Sequence, residues 1–137
     1  MAQHAIPEQR MTVAEFLKLE EPADARYEFG GGWPQAMAGA AFRHSRLIIH
    51  IGAALFAAEA GGPCQVATQD VNVQVAEETI YLPDVVARCD PTDTHPRIKY
   101  RPCLIVEVLS PSTKDIDRRE KLVAYQQLSS PQAYLIV

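Results

Sequence analysis

Apolar and polar positions along this chain change period several times, and each change predicts an element. "MTVAEFLKLEEP" opens with a helix signal: Thr12 and Glu15 are spaced as a capping box, and Met11 and Phe16 as a hydrophobic staple. Pro22 predicts where that helix stops. "RYEF" and "WPQAMAG" predict two short strands about the turn Gly30-Gly31-Gly32. Between residues 43 and 60, Leu47, Ile51, Ala54, Leu55 and Ala58 recur at helical spacing, and Gly61-Gly62-Pro63 closes the helix. "CQVATQDVNVQV" alternates in part, as one half-buried strand does, and "TIYLPDVVARCD" predicts another strand or two, broken at Pro83. "PTDTHPRIKYR" is expected to be a polar loop. "PCLIVEVLS" is apolar on both faces, which predicts a central strand. "STKDIDRREKLVAYQQL" predicts a helix and "AYLIV" a final strand. The order predicts an α/β fold, a mixed β-sheet flanked by helices. A chain that stops on a buried strand is expected to be a C-terminally truncated form of a longer domain.

Length and composition narrow the picture. The chain has 137 residues, which fits a single domain over 1–137, with residues 1–10 expected to be flexible. It is 47% hydrophobic and 22% charged, enough apolar material to bury a core. The net charge of -4 argues against a protein that holds nucleic acid by bulk charge. No apolar run approaches the roughly 20 residues that span a bilayer, and "MAQHAIPEQR" lacks a signal-peptide core, so a cytoplasmic protein with no membrane partner is expected. Three cysteines, Cys64, Cys89 and Cys103, are an odd number without CxxC spacing, so neither a disulfide framework nor a zinc site is expected. Cys103 reads as a small buried hydrophobe.

The candidate chemistry begins with "CLIVEVLSPST". Glu107 stands inside an apolar strand, and an unpaired buried carboxylate is costly, so it needs a cation, a metal or a proton. Asp84, in "LPDVV", begins another apolar strand. If the two strands are neighbours, the acids repel unless a cation lies between them. A hard divalent cation such as Mg2+ answers that need, and the Val108 carbonyl offers one more oxygen. Such an ion stabilises charge on a phosphoryl oxygen, and a nearby lysine positions water or stabilises developing charge. Simpler roles stand beside these. Asp84 suits a turn, and Glu107 suits a buried salt bridge to Lys121 or an arginine. Asp117 and Lys121 make an ordinary (i, i+4) pair. Glu28 suits a solvent-facing strand position, and His44 a helix start, where it caps or pairs; His50 falls on another face. Ser110, Ser112 and Thr113 read as turn and N-cap residues. Arg97, Lys99 and Arg101, with Lys114, Arg118, Arg119 and Lys121, form two basic groups expected to flank the acids, either as phosphate contacts or as solvated surface.

"PDVV", "LIVEVLSPST", Asp117-x-x-x-Lys121-x-x-x-Tyr125 and "AYLIV" together resemble the Uma-type restriction endonuclease family of the PD-(D/E)XK nuclease superfamily. "MTVAEFLKLE", "RYEF", "AMAG" and His44 ahead of an apolar helix fit the same order, so the resemblance covers about 11–137. It implies a restriction-endonuclease-like core and a metal-dependent endonuclease that hydrolyses DNA with Mg2+ or Mn2+; cutting both strands of a duplex needs two sites or two visits, so a homodimer is expected. It implies Asp84 and Glu107 as metal ligands, Lys121 as the catalytic amine and Glu28 as an accessory carboxylate. The superfamily pattern places a lysine two residues after the second acid, where this chain has Leu109; the resemblance offers Lys121, on the next helix, as a migrated substitute. The alternative is a nucleic-acid-binding or assembly module that keeps the fold without cutting.

Overall fold

Thr12 and Glu15 do close the first helix. The Glu15 amide donates to Thr12 Oγ1 at 3.3 Å and the Thr12 amide donates to Glu15 Oε2 at 2.7 Å, ahead of α1 (Val13–Glu20). The computed structural model describes residues 9–20, 26–37, 41–109 and 115–137, without the side chains of residues 20 and 115–118. Pro22, most of the N-terminal segment expected to be flexible, residues 110–114 and the Asp117 side chain lie outside the described residues. Arg10, in that same segment, is held by Glu78 and by the Gly31 carbonyl.

After α1 come β1 (Tyr27–Gly30), β2 (Trp33–Ala36), α2 (Phe42–Ala58), β3 (Gln65–Thr68), β4 (Asn72–Ala76), β5 (Thr79–Tyr81) and β6 (Val85–Arg88). They are followed by β7 (Ile98–Lys99), β8 (Leu104–Glu107), α3 (Asp115–Gln126) and β9 (Ala133–Ile136). The fold is mixed α/β, as expected, but the strands divide between two mixed sheets. One runs β2-β1-β5-β4-β7 and the other β3-β6-β8-β9. Each sheet has one parallel pair, β4–β7 and β8–β9 respectively, and is otherwise antiparallel.

Two local expectations need correction. "CQVATQDVNVQV" makes two strands in different sheets. Gln69, between them, has φ 66, and its amide donates to the Asp84 carbonyl, which turns the chain from one sheet to the other. The polar stretch after Cys89 also holds the short strand β7, paired in parallel with β4. A two-residue strand carries too little alternation to be read as one.

Strand alternation sets the layers. Phe16, Tyr27, Phe29, Ile80 and Ile98 pack α1 onto the first sheet. Val73, Val75, Val86, Ile105 and Tyr125 fill the space between the sheets and α3. Ile48, Val85, Val106 and Val108 join α2 to the other face of the second sheet. β8 therefore has both faces covered, as its apolar sequence requires.

The cysteines also depart from expectation. Cys64 precedes β3, Cys89 follows β6 and Cys103 precedes β8, and these strands are neighbours. Their sulfurs converge, with Cys89 in bonding contact with both of the others. Spacing along the chain could not show this, because strand register brings the residues together.

Candidate functional site

The acids meet where β6 begins and β8 ends. Val85 pairs with Val106 in the antiparallel register, so the next position out sets Asp84 across from Glu107. Alternation turns Glu107 to the face of Ile105, where Tyr125 of α3 donates its hydroxyl to Glu107 Oε1 at 3.0 Å. Buried Pro83 ends β5's continuation and leaves Asp84 at the strand mouth. There its Oδ2 accepts the Val108 amide at 2.7 Å.

Lys121 comes from α3, one turn before Tyr125. Its Nζ donates to Glu28 Oε1 at 2.9 Å and lies 3.7 Å from Glu107 Oε1. It also sits over the Tyr81 ring, 5.3 Å from the centroid. Glu28, from the middle of β1, accepts the Leu82 amide at 3.1 Å through the same oxygen. Of the two readings of Glu28, accessory carboxylate or solvent-facing strand position, the second is not met: the side chain is mostly buried, between the Lys121 amine and the Leu82 amide. Asp84, Glu107, Lys121 and Glu28 come from four elements and two sheets into one cluster.

His44 completes the arrangement. Near the start of α2, its Nε2 is 2.9 Å from the Val108 carbonyl and 3.4 Å from Asp84 Oδ2. Its Nδ1 is buried without a partner among the described residues. Sequence reading placed His44 at a helix start and had Tyr125 only as part of a spacing. Neither was assigned to the site, because their contacts cross from helix to strand. The Val108 carbonyl keeps a second lone pair beyond the one facing His44.

The electrostatics follow from burial and, among the described residues, from the Lys121 ammonium set among three carboxylates. Burial is the largest influence on Glu107 and raises it. The Asp84 and Glu28 charges add to that rise, Lys121 and the Tyr125 hydroxyl oppose it, and the result is about 7. Burial acts to lower Lys121, but Glu107, Glu28 and Asp84 outweigh it and hold the amine above its usual value. Burial, together with the neighbouring Glu107, pushes the Tyr125 phenol well up, so it remains a donor. Among the described residues, the Lys121 ammonium does not offset burial and the two neighbouring carboxylates, so Glu107 holds its proton more tightly than an exposed carboxyl does.

The basic groups mostly face elsewhere. Arg97 donates to the Leu17 carbonyl, Lys99 to the carbonyls of Asp93 and His95, and Arg101 to Asp90. Asp90 lies beyond the end of β6, at the opposite end from Asp84. Arg101 thus pairs at the far end of β6, which corrects the expectation that it flanks the acids, while Arg97 and Lys99 donate to carbonyls of α1 and of residues 93 and 95. Lys114 and the Arg118 side chain lie outside the described residues.

A family model described as "Uma2: Putative restriction endonuclease" matches residues 13–137. The chain belongs to the Uma2 family. Among this Uma2 chain's relatives are two proteins of Synechocystis sp. (strain ATCC 27184 / PCC 6803 / Kazusa). "Uncharacterized protein slr1290" is 34% identical over 134 residues, 96% of this chain and 70% of that protein. "Uncharacterized protein sll1609" is 30% identical over 131 residues, 93% and 74% of the two chains. Among solved structures, the Uma2 chain is similar to a protein described as "a putative nuclease belonging to DUF820 from Anabaena variabilis ATCC 29413". The TM-score is 0.74 at 15% identity, over 93% of this chain and 73% of that one, a likeness of fold. Among the described residues, no helix of the Uma2 chain is long and apolar enough to cross a membrane.

Proposed function

We propose that this protein is a divalent-metal-dependent endonuclease that hydrolyses DNA phosphodiester bonds, with Mg2+ as the ion and Mn2+ as a substitute. One observation carries it: Asp84, Glu107 and Glu28 converge from two sheets around the Lys121 ammonium, and burial, with the Asp84 and Glu28 charges adding to it, pushes Glu107 up to about 7. A buried cluster of hard oxygen donors, which among the described residues outnumber the ammonium facing them, fits a hard divalent cation. Asp84 and Glu107 would hold the ion, with the Val108 carbonyl as a further donor. When bound, it supplies Lewis-acid stabilisation of phosphoryl charge and a more acidic water.

The chain's own groups have distinct tasks. Lys121 stabilises charge developing on the phosphate or orients the attacking water. Glu28 is an accessory carboxylate that aims the ammonium. Tyr125 fixes the Glu107 carboxylate, and His44 fixes the strand end that presents Asp84 and Val108. Lys121 fills from a helix the role that Leu109 cannot fill from the strand. Action on both strands of a duplex suits a homodimer, which sedimentation tests, and DNA as substrate suits a cytoplasmic location.

The test is plasmid nicking with Mg2+ or Mn2+, comparing the unaltered chain with Glu107→Gln and Asp84→Asn. Nicking that disappears in both variants supports the assignment. Equal nicking by the original and the variants sinks it, and DNA binding without cutting at any metal concentration points to a binding module.

A further inference from the structure

We propose that Cys64, Cys89 and Cys103 form a second metal site, a three-thiolate seat for one soft d10 cation such as Zn2+ or Cu+. The three sulfurs lie within 4.8 Å of one another, and each is half-buried. Register gathers them. Gln65 pairs with Arg88, which sets Cys64 across from Cys89, and the Cys103 amide donates to the Ala87 carbonyl at 2.9 Å. The Cα separations are 3.9 Å for Cys64–Cys89 and 6.0 Å for Cys89–Cys103. Three adjacent strands thus deliver one sulfur each to the same end of the second sheet.

Valence decides what can use all three. The Cys89 sulfur contacts both neighbours, yet it can form one disulfide at a time. Either disulfide leaves a third sulfur against the pair; when that sulfur is Cys103, its thiol has the Ala87 carbonyl at 3.3 Å as a partner but no bond to the other two. A single cation bound at about 2.3 Å to each sulfur engages all of them. Thiolates are soft donors and select Cu+ and Zn2+ over the hard ions that carboxylates hold. Binding converts the three thiols to thiolates, and their protons leave to solvent. The seat lies at the start of β8, while Glu107 ends that strand, roughly 13 Å of extended chain away. The two sites therefore differ in place and in ion class.

The test is titration of the reduced, full-length protein with Cd2+, read by the ultraviolet sulfur-to-cadmium charge-transfer band. One equivalent should saturate the band, and Zn2+ or Cu+ should displace Cd2+. Cys64→Ser, Cys89→Ser and Cys103→Ser should each weaken binding by more than the roughly 10–100-fold typical of losing a mere supporting neighbour. Far-ultraviolet circular dichroism checks that each variant folds, and Cys103→Ala serves if Cys103→Ser does not. The double variant Asp84→Asn with Glu107→Gln should keep the band, since carboxylates cannot produce it. Three results would overturn the proposal: no band at saturating Cd2+, unchanged affinity in Cys103→Ser, or a Cys64–Cys89 disulfide that excess reductant fails to open.

Discussion

At the scale of single residues, Glu107 concentrates the tension in the site. Its usual value of 4.5 is raised to about 7, so between those values the folded chain holds a proton that the unfolded chain has lost. Stability without metal should therefore fall as pH rises through that window and level off above it. Urea midpoints measured across the window should show this slope, and Glu107→Gln should flatten it. Mg2+ favours the ionised carboxylate, so binding about one pH unit below the upper limit should release close to one proton, seen by calorimetry in buffers of different ionisation enthalpy. Tyr125→Phe leaves Glu107 without its hydroxyl donor. We expect it to cost about 1–3 kcal/mol and to weaken Mg2+ binding, measured by denaturation and titration. Lys121→Met should reduce nicking by ~10²–10³-fold, as loss of a charge-stabilising donor does elsewhere. Glu107 was legible in the sequence because a carboxylate inside an apolar run has to be explained. Glu28 was half legible, since alternation assigns it a face without saying what covers that face.

At the scale of elements, legibility tracked length. α2 and β8 carry enough periodic positions to announce themselves, and both formed where the pattern put them. β7, with two residues, and the break between β3 and β4 depended on pairing partners far along the chain, which local pattern does not encode. Helix-to-strand contacts were hidden for the same reason, and His44 and Tyr125 went unassigned with them. The α2 seat offers a direct check. Gly52 is buried against β3, and a Cβ there would come within 3.1 Å of Thr68 Cγ2. Gly52→Val should push the helix off the strand, at about 1–3 kcal/mol. Because His44 rides on the same helix, nicking should decline along with the thermal midpoint, whereas Val123→Ala, on the exposed side of α3, should change neither.

At the scale of the whole molecule, the acid cluster exists only when both sheets and two helices are assembled. Glu28 comes from one sheet, Asp84 and Glu107 from the other, and Lys121 from α3. Hydrogen exchange should therefore show the Leu82 and Val108 amides opening together with the cores, not with loop fluctuations. The source of the amine has a wider consequence. Lys121 meets Glu28 across 93 positions of chain and reaches Glu107 from a separate helix. On the proposed function, a search that demands a fixed gap between the second acid and its amine would pass over a chain of this kind. Asking which side chains a tertiary structure delivers to the acid would keep it.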